Sequence, residues 1–144
     1  MRPQEDAGQA RRMIATLQCT VIDCPDPTAL GTFYQGVLGW ALDTADPSWV
    51  TLTAPHGARF AFQEVPFHRP PRWPDPEHPQ QFHLDFDVPT RADVERAHEE
   101  VVALGAVFLH DSGGERSGFR VFADPAGHPF CLCYGQTPGP AVTG

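Results

Sequence analysis

The chain has 144 residues, a length that fits one domain with a single sizeable core. Apolar residues make up 41% of it, and no apolar run approaches the roughly 18 residues of a membrane span. The formal net charge of −8 argues against nucleic acid and anionic membrane surfaces as partners, because both bind positive protein faces. No signal peptide is visible, so we expect a cytoplasmic protein.

The first half of the chain reads as a strand, a helix and three strands. A polar segment, 1–12, is expected to be a flexible tail, and the apolar run MIATLQCTVIDC after it predicts a strand. Asp26 is a good N-cap, Pro27 a good first helical residue and Gly39 a natural stop, which together predict a helix near 26–38. Three short strands are then predicted, at 40–43, 48–53 and 59–64.

The second half repeats this order. QFHLDFDV alternates along 81–88 and predicts a strand, and Thr90 with Asp93 forms a variant of the capping box. The helix is predicted near 90–104 and ends at Gly105. Three strands are again expected after the helix, at 106–110, 118–123 and 130–134.

Equivalent residues of the two halves lie at nearly constant separations. These are 64 residues for Cys19 and His83 and for Asp26 and Thr90, 66 for Gly39 and Gly105, and 70 for Gly57 and Gly127. Such a slow drift is typical of a tandem duplication with small loop insertions. We therefore divide the chain into module 1 at about 13–65, a linker loop at 66–79, module 2 at about 80–135, and a C-terminal tail at 136–144.

Two motifs carry a resemblance to a known superfamily. The run DCPDPTALGTFYQGVLGW supplies Asp26, Phe33, Tyr34, Leu38 and Gly39, and the run FADPAGHPFCLC supplies a D-P-x-G turn. Over about 14–135 the chain resembles the vicinal oxygen chelate superfamily of glyoxalase, bleomycin resistance and dioxygenase proteins, especially its glyoxalase-like members. The resemblance implies an α+β fold of two βαβββ modules whose curved sheets face each other around a cleft, and it implies a homodimer.

Strand parity predicts which side chains face that cleft. The residues Phe82, Leu84, Phe86 and Val88 should pack under the helices, so His83 and Asp85 should face the other way. The same reasoning on the other strands adds four candidates to the cleft: Cys19, Gln63, Cys131 and Cys133.

The resemblance also implies positions for metal ligands, on the first and last strands of each module. In this chain they fall on Cys19, on His83, on Cys131 and on either Ala61 or Gln63, and only His83 is a usual ligand. Two thiols and an imidazole would suit Zn²⁺ rather than a hard ion. The alternative is that no metal is bound and that the four cysteines are inert, buried thiols.

Two other polar residues, His83 and Arg120, have two open interpretations each. Without a metal, His83 is either a general base or a cleft histidine that bonds Asp85 or water. Arg120 would contact an anionic substrate in the cleft or lie in solvent on its strand. His128, beside the turn glycine, is expected at the surface.

The linker loop is rich in proline and holds Arg69, Arg72 and Trp73. Prolines lower the entropy that a loop loses on ordering, and an indole gains much from burial. We therefore predict an ordered loop that packs Trp73 at the cleft mouth, where it would contact substrate, or in a dimer interface. A plain tether is the alternative.

These observations predict a glyoxalase-like protein that acts on, or binds, a small metabolite in its cleft. An enzyme of this kind would be a lyase, an isomerase or a dioxygenase. It would not be a conventional glyoxalase I, because no matched position supplies the glutamate base which that reaction needs. The alternatives are a non-catalytic binder of the bleomycin-resistance, drug-sequestering type and a scaffold whose cleft is filled by side chains.

Overall fold

A computed structural model describes residues 13–136 and folds them into two modules of the same element order. The first consists of β1 (Thr20–Cys24), α1 (Pro27–Leu38), β2 (Ala41–Asp43), β3 (Trp49–Thr53) and β4 (Arg59–Glu64). The second consists of β5 (Leu84–Val88), α2 (Arg91–Leu104), β6 (Val107–Asp111), β7 (Gly118–Ala123) and β8 (Pro129–Tyr134). The predicted tails fall outside the described residues, except for Gln136.

Each module forms a four-stranded sheet of its own. The strand orders are β1-β4-β3-β2 and β5-β8-β7-β6, so the two sheets have the same topology. The first and last strands of each module pair in parallel, and the remaining pairs are antiparallel. The sheets are not closed into a barrel. The predicted α+β fold of two βαβββ modules is confirmed.

The helix ends follow the residues that predicted them. The Asp26 carboxylate accepts a hydrogen bond from the Ala29 backbone N–H at 3.1 Å, which satisfies an unpaired donor of the first turn. The Asp93 carboxylate accepts one from the Thr90 backbone N–H at 3.0 Å. Gly39 and Gly105 both take the left-handed conformation that ends a helix. Both predicted helices are therefore confirmed to within one residue.

Two predicted strands are shorter than expected. The first begins at Thr20 instead of 13, and the fifth begins at Leu84 instead of 81. Each is an edge strand with one partner, and that partner begins at the same level: Thr20 pairs with Phe60, and Leu84 pairs with Phe130. An alternating pattern predicts an extended segment, but the ladder reaches only as far as the neighbouring strand.

One hydrophobic core lies on the helix side of both sheets and joins the modules. Its centre is aromatic, because Tyr34 of α1 stacks on Phe62 of the first sheet and contacts Phe86 of the second. Phe33 contacts Phe130 at 5.7 Å between ring centroids. The core therefore belongs to the whole chain rather than to either module.

A buried hydrogen bond joins the two motifs on which the family resemblance rests. The Tyr34 hydroxyl donates to Asp124 Oδ2 at 2.6 Å, and both side chains are buried. The other carboxylate oxygen, Oδ1, accepts from the backbone N–H groups of Ala126 and His128, each at 2.9 Å. Burial raises the pKa of the Asp124 carboxyl, and burial followed by the Asp124 charge raises the pKa of Tyr34. Tyr34 therefore stays a hydroxyl donor.

Neither helix of the described part is long and apolar enough to cross a membrane.

We expect Tyr34→Phe to lower the free energy of unfolding by about 2–3 kcal/mol, because Asp124 Oδ2 would lose its donor while remaining buried. Urea unfolding of the two proteins measures the difference. Tyr134→Phe is the matched control, since its hydroxyl donates to the uncharged carbonyls of Gly113 and Gly114. That loss should be smaller, about 1 kcal/mol. If Tyr34→Phe proves no more damaging than Tyr134→Phe, the bond does not hold the modules together.

Candidate functional site

The candidate site lies on the open face of the second sheet, which is the face turned away from α2. Successive side chains along each strand point to opposite faces of the sheet. Leu84, Phe86, Phe130 and Leu132 pack in the common core, whereas Cys131 and Cys133 belong to a second apolar cluster. His83, just before β5, and Asp85 on β5 share the parity of that open face. The parity prediction for these residues is confirmed.

His83, Asp85 and Cys131 come together at the start of β5 and β8. His83 Nε2 lies 3.3 Å from Asp85 Oδ1, and both side chains are about half exposed. Asp85 and Cys131 are opposite one another in the parallel ladder. One nitrogen, one oxygen and one sulfur of these residues all lie within 4.8 Å of each other.

The Cys131 thiol is protonated at neutral pH. Burial, and then the charge of Asp85, raises its pKa to about 12, and the pKa of Cys133 is raised to about 11 chiefly by burial. Because the thiolate is the nucleophilic form, the arrangement does not suit a cysteine nucleophile. It offers instead an imidazole, a carboxylate and a thiol as hydrogen-bonding or metal-binding groups.

The three donors fit a borderline-soft metal ion. Zn²⁺ accepts nitrogen, oxygen and sulfur ligands, and catalytic zinc sites have three protein ligands and one open position. Cys19, which the sequence predicted as a ligand, is not one of the three clustered residues, and Asp85 stands in its place. Cys19 precedes β1 and belongs to module 1, whereas the cluster lies entirely in module 2.

A cavity of about 680 Å³ lies where the modules meet. Its walls come from β1 (Thr20 to Asp23), from the linker loop, and from the residues just before and within β5, including His83 and Leu84. This volume is in the range of small-molecule sites, about 300–1,000 Å³. Phe82 also lines it and is exposed, which corrects the prediction that Phe82 packs under a helix: the residue precedes β5 and lies beyond the paired ladder.

The linker loop is folded against the open face. Trp73 packs on Val121, Cys131 and Cys133, and it covers a second cavity of about 230 Å³ that His83 also lines. Gln80 lines this smaller cavity, and its buried side-chain oxygen has no hydrogen-bond partner among the described residues. Trp73 is packed against the protein, as predicted, and it lines the smaller cavity.

Two histidines attach neighbouring segments to the D-P-x-G turn. His68 Nε2 lies 2.6 Å from the Ala126 carbonyl, and His128 Nε2 lies 2.6 Å from the Asp23 carbonyl on β1. His128 was expected at the surface; it is partly exposed there and also links module 2 to module 1. Pro70 lies so close to Gly127 that a Cβ there would be 2.6 Å from the proline Cβ.

Arg120 lies on the other face of the sheet, which corrects the prediction that it enters the cleft. Its guanidinium pairs with Glu95 of α2 and, at 3.1 Å, with Asp111 of β6. It also lies 3.1 Å from His98 Nδ1. Hydrogen bonding to Arg120 lowers the pKa of Glu95. Arg120 therefore anchors α2 on its sheet and is not available to a ligand in the cleft.

Gln63 remains apart from the cluster. It lies on β4, opposite Asp23 and Trp49 in the first sheet, and lines neither of the two cavities. The sequence missed several residues that the structure places at the site, namely Arg69, Gln80, Phe82 and His128. They lie in or beside loops, where periodicity gives no direction for a side chain.

Solved structures share this two-module fold. A glyoxalase/bleomycin resistance protein/dioxygenase family enzyme from Burkholderia phytofirmans matches with a TM-score of 0.65 and 21% identity, over 83% of this chain and 98% of that one. A glyoxalase-related enzyme from Fulvimarina pelagi matches at 0.63 and 21%, over 90% and 96%. The fosfomycin resistance protein FosX from Mesorhizobium loti matches at 0.62 and 18%, over 86% and 95%. At these identities the likeness establishes the fold.

The class of the protein follows from its sequence, in agreement with the resemblance to the vicinal oxygen chelate superfamily and with this fold. A family model described as a glyoxalase-like domain matches residues 19–133, and this chain belongs to that family. No curated protein matches the chain in sequence.

We expect Trp73→Ala to lower the free energy of unfolding by about 1–3 kcal/mol, because removal of the half-buried indole exposes Val121 and Cys131 to water. Urea unfolding measures the change. Arg69→Ala in the same loop should stay within about 0.5 kcal/mol of the parent, since Arg69 is exposed. Equal stabilities of the two variants would mean that the loop is only a tether.

Proposed function

We propose that the chain acts on, or binds, a small metabolite in the cavity between its modules. The observation that carries this proposal is the cavity of about 680 Å³, whose walls combine apolar surface with polar and charged side chains, His83 among them. The packing of Trp73 on the second sheet supports the proposal, because it holds the linker loop against the cavity walls.

His83 has the best position for contact with a bound molecule, since it lines both cavities and keeps about half of its side chain exposed. Asp85 holds one ring nitrogen, which orients the imidazole toward the boundary between the two cavities. In an enzyme, His83 would move a proton at this boundary; in a binder, it would donate or accept one hydrogen bond.

Filling the cavity tests the proposal. Nile red is an uncharged dye whose fluorescence rises in apolar sites, and we expect the parent protein to bind it. Val21→Trp should abolish most of this binding, because Val21 is exposed on β1 and lines the cavity. Val107→Trp is the matched control on the exposed strand β6, away from the cavity. Equal dye binding by both variants would contradict a ligand site between the modules.

A metal-dependent protein is the second candidate, and the grouping of His83, Asp85 and Cys131 favours it. A bound Zn²⁺ would supply Lewis-acid chemistry at its open coordination position. The chain's own part would be to hold the ion on one sheet through three residues of module 2. Cys131 would release its proton on binding, so affinity should rise with pH.

Cobalt(II) tests this second candidate, because a Co²⁺–thiolate bond gives a charge-transfer absorption band. Protein purified without a histidine tag should develop the band when Co²⁺ is added and lose it when Zn²⁺ displaces the cobalt. Cys131→Ser should abolish the band, because it removes the only thiol of the cluster. Cys133→Ser and Cys19→Ser are the matched controls and should retain it. A band that depends on Cys19 and not on Cys131 would contradict the assignment.

The proposal excludes conventional glyoxalase I activity. At the first-module positions where the resemblance implies ligands, the chain has Cys19 and either Ala61 or Gln63, and the clustered Asp85 lies 3.3 Å from His83. The drug-sequestering type of binder remains the alternative to catalysis. We also propose a homodimer, to which the exposed Trp49 on the open side of the first sheet would contribute apolar surface.

A further inference from the structure

We propose that the ligand of the cavity between the modules is an aromatic anion, with its ring against Phe82 and its acidic group at Arg69. This inference rests on the proposed function, since it assigns a chemical class to the molecule that the cavity would bind.

The ring contact is inferred from Phe82. Its side chain is 90% exposed, although the residue lies directly before a strand whose neighbouring apolar residues, Leu84 and Phe86, are packed in the core. It also lines the cavity, where its face is open to an incoming molecule. A planar ring would remove this apolar surface from water and gain from stacked or edge-on aromatic contact.

The remaining wall suits a flat molecule. Four prolines line the same cavity, Pro70, Pro71 and Pro79 from the linker loop and Pro129 from the start of β8. Proline rings are rigid and their backbone nitrogens carry no hydrogen, so this part of the wall offers apolar surface and few donors. Recognition along it therefore depends on shape and apolar contact.

The acidic group is inferred from Arg69. Arg69 lines the cavity, and no carboxylate of residues 13–136 lies within ion-pair distance of its guanidinium, although the chain has a formal net charge of −8. Asp23 and Glu77 line the same cavity and leave Arg69 unpaired. An arginine is suited to a carboxylate because its planar fork donates two parallel hydrogen bonds. His83 and His128 add imidazole groups to the walls.

Four probes separate the two parts of the proposal, with affinities measured by calorimetry on tag-free protein. 2-Naphthoate has the ring and the charge, decalin-2-carboxylate has the charge alone, 2-naphthamide has the ring alone, and 2-naphthylmethylamine has the opposite charge. We expect 2-naphthoate to bind at least about tenfold more tightly than each of the others, the preference that about 1.4 kcal/mol gives.

Paired variants assign each preference to one residue. Phe82→Leu should remove the preference for the naphthalene ring over decalin, and Arg69→Gln should remove the preference for the carboxylate over the amide. The controls are Phe67→Leu and Arg72→Gln. Phe67 is 87% exposed and Arg72 is exposed in the same loop, but neither lines the cavity. Both controls should bind 2-naphthoate like the parent.

Several results would overturn the inference. Equal affinity for the four probes would remove both parts of it, and tightest binding of the amine would mean that Asp23 and Glu77 set the charge preference. If Nile red binds and Val21→Trp blocks it, but no naphthalene probe binds, the ligand class is wrong while the proposed cavity stands. If neither the dye nor any probe binds, the proposed function itself fails.

Discussion

The hydrogen bond from Tyr34 to Asp124 is the constraint on which the rest of the structure depends. It joins the helix of module 1 to the D-P-x-G turn of module 2, inside an aromatic cluster that draws on both sheets. The same carboxylate organises its own turn through two backbone donors. This turn also places His128 against β1, and its Ala126 carbonyl contacts His68 of the linker loop. The buried carboxylate of Asp124 thus helps to hold β1 and the linker loop, two walls of the cavity, in place.

Much of the fold could be predicted because the signals were local. Caps at Asp26 and Thr90 and glycine stops at Gly39 and Gly105 act within one turn of helix, so each helix end could be predicted from a few neighbouring residues. The contact between Tyr34 and Asp124 could not be predicted. The two motifs that contain them lie 90 residues apart, and nothing in either motif names the other as its partner.

The site was predictable only in part, for reasons that differ between residues. Parity placed His83 and Asp85 correctly because one face of β5 is wholly apolar. On β7 both faces are partly apolar, with Phe119 and Val121 on one and Phe122 on the other, so the pattern gave Arg120 no direction. Cys19 was placed by equivalence between modules. Equivalent residues of a duplication occupy equivalent positions in two separate sheets, and this does not bring them together.

The contact between Pro70 and Gly127 makes the two halves of the duplication unequal. Gly57 and Gly127 are equivalent turn residues, and both have a positive φ. Around Gly57 there is open space, so a side chain there would meet only the backbone strain of the positive φ. At Gly127 any side chain would meet the linker loop as well. The turn of module 2 therefore tolerates a side chain less well than the turn of module 1, because the linker loop packs directly on it.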